Sequence, residues 1–236
     1  MTDLSFECPG VRADRYAAAP TLLFRLRIAA ADPTTRVHAL ALRCQLRIEP
    51  ARRGYRADEA EALADLFGER SRWGSTLHPL QFAQTSLVVP GFTGETEVDL
   101  PVPCSYDLDV AAGRYFHALK DGEIPLLLLF SGTVFAGAGG FQVQPVPWHK
   151  EASVRMPVTV WQEMTDTHFP GCGWLRLPRE TLDALLAYRS RHALPSWQAA
   201  IEALLAGADG PAPPSTPSAR LLAGATARPA TERTAP

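Results

Sequence analysis

The sequence predicts an α+β fold: a strand-rich antiparallel sandwich or curled sheet, then a C-terminal set of short helices and a disordered tail. Three observations carry this. Between Thr21 and Ile48, two segments alternate apolar and polar residues, the mark of strands with one wet face. Ile124-Pro125-Leu126-Leu127-Leu128-Leu129-Phe130 is the most apolar run and passes into β-favouring Ser131–Phe135, as a central strand buried on both faces would. Periodicity alone is equally compatible with a buried helix there, and the Asp121-Gly122 turn ahead of it favours the strand. Beyond Pro157 the spacing turns helical, and from Gly207 the chain is Pro, Ala and Thr-rich. The expected organisation is a β-rich part over 1–156, a helical part over 157–206 packed on it, and a disordered tail over 207–236.

In chain order, Leu22, Phe24, Leu26 and Ile28 face one way while Arg25 and Arg27 face the other. After a turn at Asp32-Pro33-Thr34-Thr35, Leu40, Leu42, Cys44, Leu46 and Ile48 repeat the device against Arg43, Gln45 and Arg47. Two alternating strands joined by a short turn predict a hairpin. Asp58–Phe67 reads as a short helix with acids in its first turn, ended by Gly68, and Arg70–Gly74 as a loop anchored by Trp73. Gln81–Val89 and Thr93–Val102 form a second expected strand pair about Pro90-Gly91. Tyr106, Leu108 and Val110 alternate as a strand. The segment from Ala111 to Leu119 has helical spacing at Ala112, Tyr115, Phe116 and Leu119, yet a long hairpin arm fits too. Gly137–Gly140 is a flexible connection, Pro145 and Pro147 confine the next strand to an edge, and Glu151–Met156 adds a short strand. Three helices follow: one from Val158 to before Pro170-Gly171, one opened by Pro178, and one from Trp197 to Leu205 capped by Ser196. Trp174–Leu177 between the first two is short and extended.

Net charge is -2, from 23 basic and 25 acidic residues, so no global field draws nucleic acid or an anionic membrane. All basic residues but Lys120 and Lys150 are arginine, which beside so many alanines and prolines reads as coding bias rather than phosphate recognition. The N-terminus lacks the basic region and apolar core of a signal peptide, and no run is long enough to span a bilayer, so the expected location is the cytoplasm. There Cys8, Cys44, Cys104 and Cys172, far apart and without a C-x-x-C pair, are expected as free and mostly buried thiols.

No motif dictates a reaction. The six histidines show no metal-ligand spacing, and Asp166, His168 and Cys172 together are better read as capping and surface residues, so neither metal nor cofactor is expected. Phe130-Ser131-Gly132 lacks the first glycine of a nucleophile elbow and continues as a strand, so Ser131 reads as a small residue under a close neighbour. Gly137-Ala138-Gly139-Gly140 is not followed by Lys-Ser or Lys-Thr and leads into no helix. Glu95, Glu97 and Asp99 on one strand read as a solvated face. No catalytic residue is assigned. Trp148, Trp161, Trp174 and Trp197 fall late in the chain, near Lys150, Glu151 and Arg176. Tryptophan and arginine are enriched at binding hot spots, so Trp148, Lys150, Glu151, Trp174 and Arg176 are the candidate protein-binding residues, with Trp148 expected to be partly exposed.

At Phe92–Pro103, at FHALKDGEIPLLLLFSGTVF, at Pro147-Trp148-x-Lys150-Glu151-Ala152 and at Phe169-Pro170-Gly171-x-x-Trp174-Leu175-Arg176-Leu177, the chain resembles an actinobacterial family of unknown function. The resemblance spans roughly residues 10–206. Members of that family are often encoded near nickel–iron uptake hydrogenase genes. The resemblance therefore implies an accessory or assembly role, with hydrogenase subunits or maturation factors as the partner, and implies no catalytic residue. The expected function is a cytoplasmic, non-catalytic protein-binding factor. The competing expectation is a small enzyme or ligand-binding protein with a pocket between sheet and helices.

Overall fold

The computed structural model describes residues 2–104, 110–137, 142–170 and 177–208. The chain divides into two units, Met1–Gly173 and Trp174–Pro236.

The first unit is α+β, with antiparallel strands in two sheets. Strands β1 (Leu4–Ala13), β2 (Thr21–Ala30) and β5 (Glu95–Pro103) form a three-stranded sheet in the order β1-β2-β5. Strands β3 (Arg36–Ile48), β4 (Leu80–Thr93), β6 (Glu123–Ala136), β7 (Gln142–Pro145) and β8 (Glu151–Pro157) form the second, in the order β4-β3-β6, with β7 and β8 sharing the far side of β6. Their inner faces meet in one apolar core. Leu22, Phe24, Leu26 and Ile28 from β2 and Leu40, Cys44, Leu46 and Ile48 from β3 have no exposed surface. Phe6 of β1 stacks on Phe130 of β6 across the two layers, centroids 4.4 Å apart. The run about Leu128 is the central strand expected of it, paired with β3 on one side and β8 on the other.

Both expected hairpins are corrected by this topology. β2 pairs with β1 and β5, and β3 with β4 and β6, so the turn at Asp32–Thr35 carries the chain between sheets. The same holds for β4 and β5, which leave one sheet and enter the other at Gly94. The two crossings lock together: Gly94 N–H donates to Thr35 O, and Ala30 N–H to Gly94 O. Gly94 adopts φ +71°, and a Cβ there would lie 2.7 Å from Pro33 O, so the position demands glycine. Alternation reports which side of a strand is buried, and both an arch between sheets and a hairpin within one satisfy it.

Strand β1 was not expected. Its pattern Leu4, Phe6, Cys8 is interrupted by a register shift between Glu7 and Gly10, where Pro9 and Gly10 break the alternation. Helices α1 (Ala57–Ala62), α2 (Ala64–Phe67), α3 (Trp73–Thr76) and α4 (Val110–Ala118) fill the connections. The expected single helix over Asp58–Phe67 is thus two pieces with Leu63 between them. Trp73 anchors its loop as expected, buried with its indole N–H on Gly68 O at 3.0 Å. Ala111–Leu119 is resolved as helix: Ala112, Tyr115 and Phe116 of α4 and Leu119 just beyond it are buried in the core. Helix α5 (Val158–His168) belongs to this unit, its Trp161 lying 4.4 Å from the Phe116 ring.

The second unit contains α6 (Arg179–Arg191) and α7 (Trp197–Ala208). Ser196 caps α7 as expected, its hydroxyl accepting from Ala199 N–H at 3.1 Å. Arg189 of α6 lies over the Trp197 ring, 4.5 Å from its centroid. Val110, expected at the end of a strand, opens α4, and α7 continues through Gly207 and Ala208, where the tail was expected to begin. Tyr106 and Leu108 of that expected strand, the glycine-rich connection over 138–140, the extended Trp174–Arg176 segment and the tail from residue 209 lie outside the described residues.

Candidate functional site

Each sheet has an outer face, and the two are built on different chemistry. On the three-stranded sheet the polar positions of β2 meet acids from both neighbours. Asp99 of β5 pairs with Arg12 of β1 at 2.7 Å and with Arg25 at 3.5 Å. Arg27 pairs with Glu97 at 2.8 Å and with Glu7 at 3.7 Å. This is a ladder of neutralised charge, as a surface left to water should be, and it accounts for the acids at Glu97 and Asp99 without a reaction.

The outer face of the five-stranded sheet has no such ladder. Its register sets five rows across β4, β3 and β6, continued by β7 or β8 where they pair. They run Gln81-Arg47-Leu127-Ser153, Gln84-Gln45-Leu129-Glu151, Ser86-Arg43-Ser131, Val88-Ala41-Thr133-Pro145 and Pro90-Ala39-Phe135-Val143. Val88 is 69% and Val143 60% exposed, while Leu127, Leu129 and Phe135 are half-buried. Glu151 is the only carboxylate in these rows. Arg43 is exposed, and neither it nor Arg47 has an acid partner among the described residues; Arg47 reaches only Gln45 Oε1, at 3.5 Å. Half-buried leucines and cations without an acid partner among the described residues thus lie side by side on this face.

β7 and β8 are one edge strand interrupted at residues 146–150. Val146 N–H donates to Gly132 O and Phe130 N–H to Lys150 O, so the chain rejoins β6 on either side of the interruption. Pro145 and Pro147 remove two donors there, which protects an edge from adding a further strand. Trp148 stands in the interruption and is 89% exposed, more than the partial exposure expected of it. Lys150 points elsewhere. Its ammonium pairs with Asp3 at 2.6 Å and ties the start of β1 to this edge, holding the Asp3 carboxyl below the usual range. Glu151 is exposed in the Leu129 row. Of the five sequence-derived candidates, these three share one edge, and Trp174 and Arg176 lie outside the described residues. Arg43, Arg47, Val88 and Val143, which complete the face, were missed. The signal was present in the outward residues of β3 and β6, but only their register puts them side by side.

A second polar cluster lies beyond the Leu127 end of this face, in an open cleft of about 590 Å³ lined by Arg52, Arg53, Arg56, Arg155 and Glu59 among others. Each arginine already faces a carboxylate: Arg52 and Glu49 at 3.7 Å, Arg53 and Glu59 at 3.0 Å, Arg56 and Asp121 at 3.1 Å, Arg155 and Glu123 at 3.9 Å. Glu59 is fully buried, and both its oxygens accept from Arg53 Nη2. The backbone N–H groups of Arg56 and Lys120 complete its shell at 3.1 and 3.0 Å. The Arg53 guanidinium also lies over the Tyr55 ring, 5.0 Å from its centroid, and the Tyr55 hydroxyl is 2.8 Å from that of Tyr115. Burial pushes the Tyr55 phenol up to about 12, and Tyr115 higher than its ordinary value, so both stay protonated near neutrality and neither is a phenolate base there. A carboxylate that accepts four hydrogen bonds from three donor groups joins α1 to the turn before β6; it holds the fold.

The remaining candidates are structural too. Both ring nitrogens of His168 face backbone carbonyls, Met164 O at 3.0 Å and Ala17 O at 3.2 Å, which leaves neither for a metal. The close neighbour expected over Ser131 lies over Gly132 instead: a Cβ at Gly132 would lie 2.1 Å from Ala41 O, whereas Ser131 is exposed in the Arg43 row. Cys8, Cys44 and Cys104 are free and buried, and desolvation pushes their thiols to about 11, 12 and 12. No described helix is long and apolar enough to cross a membrane.

No curated protein matches the chain. Among solved structures, a bacterial adhesin from Mobiluncus mulieris containing intramolecular disulfide, isopeptide and ester cross-links is similar at 10% identity and a TM-score of 0.22. The likeness covers 65% of this chain and 57% of the adhesin, little more than half of it. A family model matches residues 1–213, and the chain belongs to that family of unknown function (DUF6084).

Proposed function

We propose that this protein is a non-catalytic accessory factor that binds another protein through the outer face and β7–β8 edge of its five-stranded sheet. The observation that carries the reading is the contrast between the two outer faces: one neutralised by ion pairs, the other a mixed face whose leucines lie beside arginines without an acid partner among the described residues, bordered by a Trp148 that is 89% exposed. Large aromatics and arginines beside apolar surface are the composition of binding hot spots. The saturated shell of Glu59 and the paired arginines of the cleft favour this reading over an enzyme in that cleft. Trp148 and Glu151 are the proposed contacts on the edge, Lys150 supports them through Asp3, and Trp174 and Arg176 are retained as proposed contacts from the sequence pattern. The resemblance to a family encoded beside uptake hydrogenase genes makes hydrogenase subunits or maturation factors the proposed partner.

The test is affinity purification of the tagged full-length protein from its own host, beside the Trp148→Ala variant. The expected result is a stoichiometric partner that is lost or strongly depleted with the variant, whose melting temperature is unchanged. Recovery of the protein alone, or of an identical partner at identical yield with Trp148→Ala and with Arg43→Glu, would overturn the reading.

A further inference from the structure

We infer that the outer face of the five-stranded sheet docks an amphipathic helix of the partner, and that carboxylates on the helix's apolar side pair with Arg43 and Arg47. This rests on the protein-binding reading above and names the chemistry of the partner.

The face dictates the shape. Four strands spaced by about 4.8 Å make a surface roughly 14 Å across, enough to seat one helix about 10 Å in diameter. A helix laid across a sheet face is one of the standard layer arrangements of proteins. Leu127, Leu129, Phe135, Val88 and Val143 provide apolar contact at both ends of the face, with Arg43 and Ser131 between them.

Charge dictates the partner's sign. Arg43 and Arg47 lie four residues apart on one strand, about 13 Å between Cα atoms. Two carboxylates separated by seven or eight residues on a helix, about 11–12 Å, would meet both. A guanidinium brought under an apolar partner loses water and requires a carboxylate in return, which it binds in a two-point fork. The only acid in these rows is Glu151, at the edge. A second copy of this chain does not fit, because a two-fold contact would set an arginine-bearing face on its own image. An anionic bilayer fits poorly as well: surface-bound segments use clusters of about four to eight basic residues, and these leucines are half-buried rather than projecting.

The test is selection of displayed random peptides on the immobilised full-length protein, followed by calorimetry with the enriched peptides. The expected peptides carry Leu, Ile or Phe at helical spacing with Asp or Glu seven or eight residues apart on the same side. Their affinity should fall at least about tenfold in Arg43→Glu/Arg47→Glu. Lys-for-Glu versions of the same peptides should recover affinity on that double variant, a readout that lost folding cannot produce. Three results would overturn the inference. One is enrichment of no acidic helical peptide. Another is binding indifferent to the arginine reversal. The third is arginine-dependent binding to phosphatidylserine vesicles, or arginine-dependent dimerisation, in place of peptide binding. Peptides lost with Trp148→Ala but unaffected by the arginine reversal would sink the helix-on-face inference while leaving protein binding intact. Absence of any co-purifying protein would remove protein binding itself.

Discussion

Replacing Glu59 by alanine should be among the most destabilising single changes outside the apolar core. Its side chain is 1% exposed and that of its partner Arg53 is 7% exposed, so removing the carboxylate leaves a buried guanidinium without its counter-charge. The backbone N–H groups of Arg56 and Lys120 lose their acceptor in the same step. Breaking a buried pair from one side costs about 3–5 kcal/mol. For a unit of this size each kcal/mol corresponds to roughly 2–4 °C, so the melting temperature should fall by about 10 °C. Urea denaturation of wild type, Glu59→Ala and Arg53→Met/Glu59→Leu reads the effect. The double variant removes both charges and should recover much of the loss, because an apolar pair of similar volume has no charge to desolvate. A loss below about 1 kcal/mol in Glu59→Ala would refute the argument. So would a double variant no more stable than the single one, since the penalty would then not come from the orphaned arginine.

Leu128→Asp places a charge where the side chain has no exposed surface, and the cost should exceed the stability of the unit, leaving no cooperative transition on heating. A soluble mutant with a sharp melt would refute the central-strand placement. Gly132→Ala should lose at least about 2 kcal/mol in urea, because φ is +142° and the new Cβ would meet the Ala41 carbonyl. Cys8, Cys44 and Cys104 should resist a thiol reagent at pH 8 in the native protein and react at once in denaturant, as mass spectrometry of labelled peptides would show. Their raised pKa values, and those of Tyr55 and Tyr115, mean that the folded state holds more protons than the unfolded chain above about pH 9. Stability should therefore be full below about pH 8.5 and fall as pH rises from there towards 12; a flat urea midpoint between pH 8 and pH 11 would contradict this.

Much of the fold was legible because much of it is local. The alternation in β2 and β3, the apolar run of β6, the prolines that confine β7 to an edge and the Ser196 cap are each written within a dozen residues, and each was found. The β1 strand was missed where a bulge at Pro9-Gly10 breaks the period. For the candidate site, Trp148, Lys150 and Glu151 were legible as neighbours in the chain. The row that joins Arg43 to Ser131 and Ser86 was not, since its members come from three strands.

From residue 21 on, the sequence by itself determined most of the strand-forming segments, which side of them is apolar and the change to helix beyond Pro157, because side-chain periodicity and turn chemistry act over a few residues. Only the tertiary structure decided which strands pair. Arg25 and Arg27 look like Arg43 and Arg47 in sequence, each an arginine on the wet side of an alternating strand. The first pair lies between β1 and β5, which bring Glu7, Glu97 and Asp99 to it; the second lies between β4 and β6, which bring serine, glutamine and leucine. A guanidinium's environment is set by neighbours distant in the chain, through a register that no local pattern encodes. That register neutralises one sheet face and leaves on the other the mixed, cationic surface proposed for docking.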